Sequence, residues 1–131
     1  MVEFILYVAD QERSKCFYEH VLKMQPLLHV PGMTEFLLAD NCKLGLMPEK
    51  SIVKILRDKT PDPASGNGMP RCELYPYTTD INSFYRRLVE MDADEISPIA
   101  ERDWGDRVCY FSDPDGHVLA IAEKLSWQPE L

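Results

Sequence analysis

The chain has 131 residues, of which 45% are hydrophobic and 27% are charged, with a net charge of −8 at pH 7. This length fits one domain, or two small modules that share one core. The negative charge argues against nucleic-acid binding, and neither a membrane-spanning run nor a signal-peptide pattern is present, so we expect a cytoplasmic protein without a membrane partner.

The first half of the chain predicts a β-α-β-β-β order. Residues 4–8 form an apolar strand pattern, and residues 11–22 place apolar side chains at helical spacing after Asp10, which suits a helix N-cap. Three further strand patterns follow, at residues 27–30, 34–39 and 43–47.

Residues 51–70 are predicted to link the two halves. They begin with a short amphipathic helix at residues 51–59 and continue in a segment rich in proline and glycine, from Pro61 to Pro70. We therefore expect a single domain built from modules 1–50 and 71–124.

The second half nearly repeats the first half at a distance of 70 residues. The run from Glu3 to Asp10 reappears as the run from Glu73 to Asp80, and each Asp leads into a helical pattern. The second half has strand patterns at residues 72–78, 95–99, 107–111 and 117–123, with a helix at 81–91. The tail after Lys124 is expected to be loosely held.

Several short motifs, and the order in which they occur along the chain, resemble those of the vicinal oxygen chelate superfamily. This superfamily includes glyoxalase I, bleomycin-resistance proteins and extradiol dioxygenases. The motifs are Val8-Ala9-Asp10, Ser14, Phe17-Tyr18, Trp104-Gly105, Tyr110-Phe111 and Asp113-Pro114-Asp115-Gly116-His117. The resemblance implies an α+β fold of two tandem βαβββ modules that form a glyoxalase-like half-barrel pocket. It also implies a homodimer that binds a small molecule.

The resemblance also identifies four positions at which metal-dependent relatives place His or Glu ligands. Here those positions carry Glu3, about Gly45, Glu73 and Ala120. Two carboxylates alone hold a divalent cation weakly, because catalytic transition-metal sites use three or more protein ligands. We therefore predict no cofactor, with a weakly bound divalent metal as the alternative.

Glu3 and Glu73 are the candidate catalytic residues. If they lie a few ångströms apart in the pocket, their repulsion raises one pKa, and that carboxyl becomes suited to act as a general base. The pair would equally suit a cationic or hydrogen-bond-donating ligand. In the plainer interpretation, each Glu is solvated or paired with an Arg near a strand end.

The candidate ligand-binding residues are mainly aromatic. Strand alternation places Tyr7 on the face of Glu3 and places both tyrosines of the second repeat on the face of Glu73, although all three also fit as core residues. Arg107 suits an anionic ligand or, in the preferred interpretation, pairs with Asp103 or Asp106 beside it. The full candidate set is Tyr7, Tyr75, Tyr77, Trp104, Arg107 and Ala120.

The leading functional hypothesis is a small-molecule-binding protein that works without metal, with ligand sequestration as one version. The alternative is a glyoxalase- or dioxygenase-like enzyme with a weak or unusual metal site, and a ligand-sensing subunit is a third class. Four cysteines without a CxxC pair favour structural thiols, and His117 is not interpreted as a ligand.

Overall fold

The computed structural model describes residues 1–126 and divides the chain into two compact units, Met1–Gly68 and Met69–Leu131. The division falls inside the predicted linker. Each unit contains a four-stranded sheet and a helix between its first and second strands. The α+β class and the two βαβββ modules are therefore confirmed.

The module in the first unit consists of β1 (Val2–Val8), α1 (Gln11–Leu22), β2 (Leu28–Val30), β3 (Met33–Ala39) and β4 (Cys42–Pro48). Its sheet has the strand order β1-β4-β3-β2, and β1 runs parallel to β4 while the other neighbours are antiparallel. A second helix, α2 (Glu49–Leu56), and a 3₁₀ turn (Pro63–Gly66) occupy the predicted linker.

The second unit repeats this arrangement with the order β5-β8-β7-β6. Its elements are β5 (Glu73–Leu74), α3 (Ile81–Glu90), β6 (Asp94–Glu101), β7 (Asp106–Ser112) and β8 (Val118–Lys124). The predicted strand at residues 72–78 is shorter because Pro76 has no N–H to donate to the ladder. Pairing resumes in a single bridge from Tyr77 to Ala122.

Helices α1 and α3 begin where the sequence predicts, and α1 ends in a way that the sequence does not predict. Asp10 and Asp80 accept hydrogen bonds from the third residue beyond them, at 3.0 and 3.1 Å, and so cap α1 and α3. The chain then leaves α1 through Lys23, whose φ of 54° lies in the left-handed region. Glycine is the usual residue at such a helix end, and no glycine marks this one.

The two modules share their strand register and their core pattern. The register pairs Phe36 with Leu44 in the first sheet and Phe111 with Leu119, each 75 residues later, in the second sheet. All four side chains are buried. The spacing of the repeat therefore grows from 70 residues at the first strands to 75 residues at the last two strands.

Among residues 1–126, no helix is long and apolar enough to cross a membrane. The four cysteines are free thiols, and burial raises the pKa of Cys109 to about 11, which keeps its thiol protonated at neutral pH. The prediction of a loosely held tail falls mostly on residues 127–131, which lie outside the described residues.

Candidate functional site

In the first unit, the Glu3 carboxyl packs over the backbone of Gly45. A Cβ built at residue 45 would lie 2.5 Å from Oε2 of Glu3, so only glycine leaves room for this carboxyl group. Oε2 is buried and has no hydrogen-bond partner among the described residues. A buried acceptor without a partner is unfavourable, because it has lost its hydrogen bonds to water.

The other carboxyl oxygen of Glu3 belongs to a three-residue ionic cluster. The Lys43 Nζ lies 3.5 Å from Oε1 of Glu3 and 3.1 Å from Oε1 of Glu35. Strand register brings the three together, since Lys43 pairs with Glu3 on β1, and Glu35 on β3 pairs with Gly45 two residues further along β4. Alternation then places all three side chains on one face of the sheet.

The protonation of the two carboxyl groups is linked. Burial raises the pKa of Glu3, and the neighbouring Glu35 raises it further. The pKa of Glu35 is lowered, first by its hydrogen bond with Glu3 and also by Lys43. The pKa of Lys43 is raised, chiefly by its hydrogen bond to Glu35. As the pH falls, Glu3 therefore takes up its proton before Glu35 does.

In the second unit, a buried aspartate links three of the aromatic residues predicted to bind a ligand. Asp106 is 5% exposed, and its Oδ2 accepts hydrogen bonds from the hydroxyls of Tyr75 at 2.6 Å and Tyr77 at 3.1 Å. The Trp104 indole N–H in turn donates to the Tyr75 hydroxyl at 2.8 Å. One carboxylate thus fixes the orientation of three aromatic rings.

Two of these rings, those of Tyr77 and Trp104, border a groove of about 360 Å³ in the second unit. Tyr77 is 46% exposed and Trp104 is 59% exposed, so both present ring surface to solvent. The Lys124 ammonium lies 5.1 Å from the centre of the Tyr77 ring, within cation–π range. Burial and the hydrogen bond to Asp106 raise the pKa of Tyr75 to about 12, so this hydroxyl stays protonated and keeps donating.

The remaining predicted site residues lie in different surroundings. Tyr7 is half-buried on the β1 face that carries Glu3, and Glu73 is exposed on β5. Ala120 is fully buried in a small cluster against which Tyr75 and Tyr110 pack. The pairing of Glu3 with Glu73 stays a prediction.

The prediction that Arg107 pairs with Asp103 or Asp106 is wrong. Its guanidinium lies 3.0 Å from Glu123 and 3.7 Å from Glu101, since the strand register places Arg107 opposite both residues. Asp106 instead serves the tyrosines, a role that sequence analysis missed. The available signal was two tyrosines, two residues apart on one predicted strand face, with acidic residues around the start of β7.

The residues at the four family metal positions do not fit a resident transition metal. The register places Gly45 and Ala120 at equivalent positions, each two residues beyond the partner of Glu3 or Glu73. Neither residue offers a donor atom. In the first unit the Gly45 position is further filled by the Glu3 carboxyl, which Lys43 already neutralises.

One group in the described part of the chain brings three metal-ligating side chains close together: Asp113, Asp115 and His117. The Asp113 carboxylate bonds to the His117 ring and to the backbone of the turn before β8. Asp113 Oδ1 accepts from the backbone N–H of Asp115 and of His117, and Oδ2 lies 2.8 Å from His117 Nδ1. The Arg71 guanidinium only donates, so its contact with His117 Nε2 places the ring proton on Nδ1, facing Asp113.

His29 borders a second groove, of about 480 Å³, in the first unit. Its Nδ1 lies 2.7 Å from the Thr34 hydroxyl, and its Nε2 lies 3.0 Å from Glu12. Gln11 also contacts this segment, donating to the Val30 carbonyl at 2.8 Å. These bonds attach β2 and the turn after it to the start of α1, so the visible role of His29 is structural.

One family model matches nearly all of the chain. The model of the glyoxalase-like domain matches residues 1–126. The uncharacterized protein YraH of Bacillus subtilis (strain 168) is 25% identical over 128 residues, which make up 95% of this chain and 98% of the relative.

Two solved structures show the same fold. A glyoxalase-related enzyme from Fulvimarina pelagi has a TM-score of 0.81 at 20% identity, covering 98% of this chain and 90% of its own. The bleomycin resistance determinant encoded on the transposon Tn5 has a TM-score of 0.65 at 17% identity, covering 95% of this chain and 97% of its own.

Proposed function

Because the chain belongs to the glyoxalase-like domain family of the vicinal oxygen chelate superfamily, we propose that it is a small-molecule-binding protein that works without a resident metal. The observation that carries this proposal is the Asp106 network. A buried carboxylate, two tyrosine hydroxyls and an indole N–H are combined to hold aromatic rings at a groove. Ligand sequestration is one version of this function.

The groove supports a ligand with a flat aromatic part. Exposed tyrosine and tryptophan rings lose little conformational freedom on binding, and their faces stack on other rings. Tyr77 and Trp104 are both exposed, and hydrogen bonds already orient them before a ligand arrives. Lys124, which also lines the groove, favours a ligand that carries a negative or electron-rich group.

Metal independence is supported by the donor set in each unit. The family positions at Gly45 and Ala120 have no donor atom, and the Glu3 carboxyl is paired with an ammonium group. The glyoxalase- or dioxygenase-like enzyme remains the alternative function. This alternative predicts that a divalent cation stabilises the folded chain and that chelator abolishes the stabilisation. We further expect a cytoplasmic homodimer.

The test is a thermal-shift screen of small aromatic acids and phenols, followed by titration of each hit monitored by NMR. We expect saturable binding that chelator leaves unchanged and that W104A weakens about tenfold, the range for losing one stacked ring. The matched control is F4A, which removes a ring that is 62% exposed in the first unit.

Two results would contradict the proposal. The groove is not the binding site if W104A and F4A affect the hits equally. The metal-independent function is wrong if hits bind only after Mn²⁺, Zn²⁺, Ni²⁺ or Fe²⁺ is added.

A further inference from the structure

The shared strand register allows each residue of the first-unit cluster to be compared with its counterpart in the second unit. Lys43 lies opposite Glu3 and, in the second unit, Val118 lies opposite Glu73. Glu35 pairs with Gly45, and Tyr110 pairs with Ala120. The first unit thus has an ammonium group and a second carboxylate where the second unit has an aliphatic and an aromatic side chain.

The ammonium group of Lys43 lies where a bound cation would contact both carboxyl groups. It is within 3.5 Å of Glu3 Oε1 and within 3.1 Å of Glu35 Oε1, and its side chain is 21% exposed. A divalent cation on the same oxygen atoms would meet a like charge held in place by two ion pairs. At such distances the repulsion is large enough to displace one of the two cations.

We infer that Lys43 is a built-in cation, which occupies the cation-binding position between Glu3 and Glu35 and excludes divalent metal from it. This inference rests on the proposed metal-independent function and explains it by one residue of this chain, Lys43. In consequence, removing the ammonium group alone should open a divalent cation site, with no ligand residue added.

The test is isothermal titration of K43Q with MnCl₂ at neutral pH, with the wild-type chain alongside. We expect K43Q to bind Mn²⁺ at least about tenfold more tightly than wild type, the effect of one pKa unit of charge interaction. The double variants K43Q/E3Q and K43Q/E35Q should lose this gain. The control is K15Q, which breaks a comparable pair with Glu19 at 3.3 Å on α1 and should gain no metal binding.

A second measurement uses the wild-type fold and does not depend on K43Q folding. In trace acetylation followed by mass spectrometry, Lys43 should react more slowly than the exposed Lys50 and Lys54, and E35Q should accelerate it. The inference is overturned if Lys43 reacts as fast as these lysines, or if folded K43Q binds Mn²⁺ no better than wild type.

These outcomes are separate from those of the proposed function. Ligand binding is tested by W104A in the second unit, and metal independence by chelator on the wild-type chain. A K43Q variant that gains no metal would remove Lys43 as the cause, while leaving both of those results unchanged.

Discussion

The carboxyl group of Glu3 occupies the space that any side chain at Gly45 would need. The two residues lie on the neighbouring strands β1 and β4, and Oε2 of Glu3 is 2.5 Å from the Cβ position of residue 45. The Glu3 carboxyl can therefore take this position only while residue 45 has no side chain, and a side chain added at residue 45 would displace the carboxyl.

We predict that G45A destabilises the chain by about 1–2 kcal/mol, the usual range for overpacking at a site that can partly yield. The Glu3 carboxyl would have to move away, and Ile5 Cγ1, at 3.1 Å from the new Cβ, would also have to shift. Urea unfolding of G45A, E3A and G45A/E3A measures the effect as a double-mutant cycle. A coupling energy near zero would show that the Glu3 carboxyl does not restrict residue 45.

We predict opposite pH dependences of stability for the two acids. The pKa of Glu3 is raised in the folded chain, so its contribution is complete below the ordinary value of 4.5 and is lost as the pH rises through the raised value. The pKa of Glu35 is lowered, so its contribution is present above 4.5 and is lost as the pH falls through the lowered value.

Thermal unfolding across this pH range checks both signs. Relative to wild type, E3Q should gain stability as the pH rises above 4.5, and E35Q should gain stability as the pH falls below it. The matched control is E73Q, which changes the exposed glutamate at the equivalent position of β5. Equal effects of E3Q and E73Q would contradict the part that burial and Glu35 play in raising the pKa of Glu3.

We predict that Tyr75 ionises only in strong alkali. Its pKa of about 12 comes first from burial and then from Asp106, so absorbance at the phenolate band should include a transition near pH 12 that Y75F removes. Because the raised pKa stabilises the folded chain only while the hydroxyl is protonated, that stability is lost as the pH rises through about 12.

The same titration tests the aspartate at the centre of the network. The D106N variant should lower the pKa of Tyr75 only in part, because burial of the hydroxyl remains. The neighbouring exposed residue provides the control, and D103N should leave the transition in place. An unchanged transition in D106N would mean that the carboxylate has no influence on the hydroxyl.

We predict that K23G stabilises the chain by about 0.5–1 kcal/mol. Lys23 ends α1 at a φ of 54°, a conformation that glycine adopts without the strain that a Cβ introduces. Its backbone N–H donates to the His20 carbonyl at 3.2 Å, and glycine keeps this bond. Chemical denaturation measures the gain. K15G, inside the same helix, should instead lose about 1 kcal/mol.

Sequence periodicity predicted most of the fold because local patterns set it. Asp10 caps α1 as expected, Asp80 at the repeated position caps α3, and the βαβββ order follows from alternation and turn residues. The helical end at Lys23 was not predictable, because the usual glycine is absent. The length of β5 was also missed, since the pattern at residues 72–78 reads as one strand although Pro76 interrupts its ladder.

The partners of the site residues depend on strand register, which the sequence repeat did not reveal. The repeat is visible at a distance of 70 residues, but β3 and β4 correspond to β7 and β8 at a distance of 75. That shift conceals Glu35 and Lys43 as the neighbours of Glu3. Asp106 could likewise not be identified as the acceptor for Tyr75 from the sequence, because β8 lies between β5 and β7 and sets which of their residues meet.

Because the last two strands of each module share one register, side chains can be exchanged between equivalent positions of the two modules. A side chain can be moved 75 residues along the chain with its strand neighbours known in advance. V118K with Y110E would transplant the ionic cluster to the surroundings of Glu73, and K43V with E35Y would make the reverse exchange. The same side chain can thus be compared at equivalent positions of the two modules, which separates its own contribution from that of its surroundings.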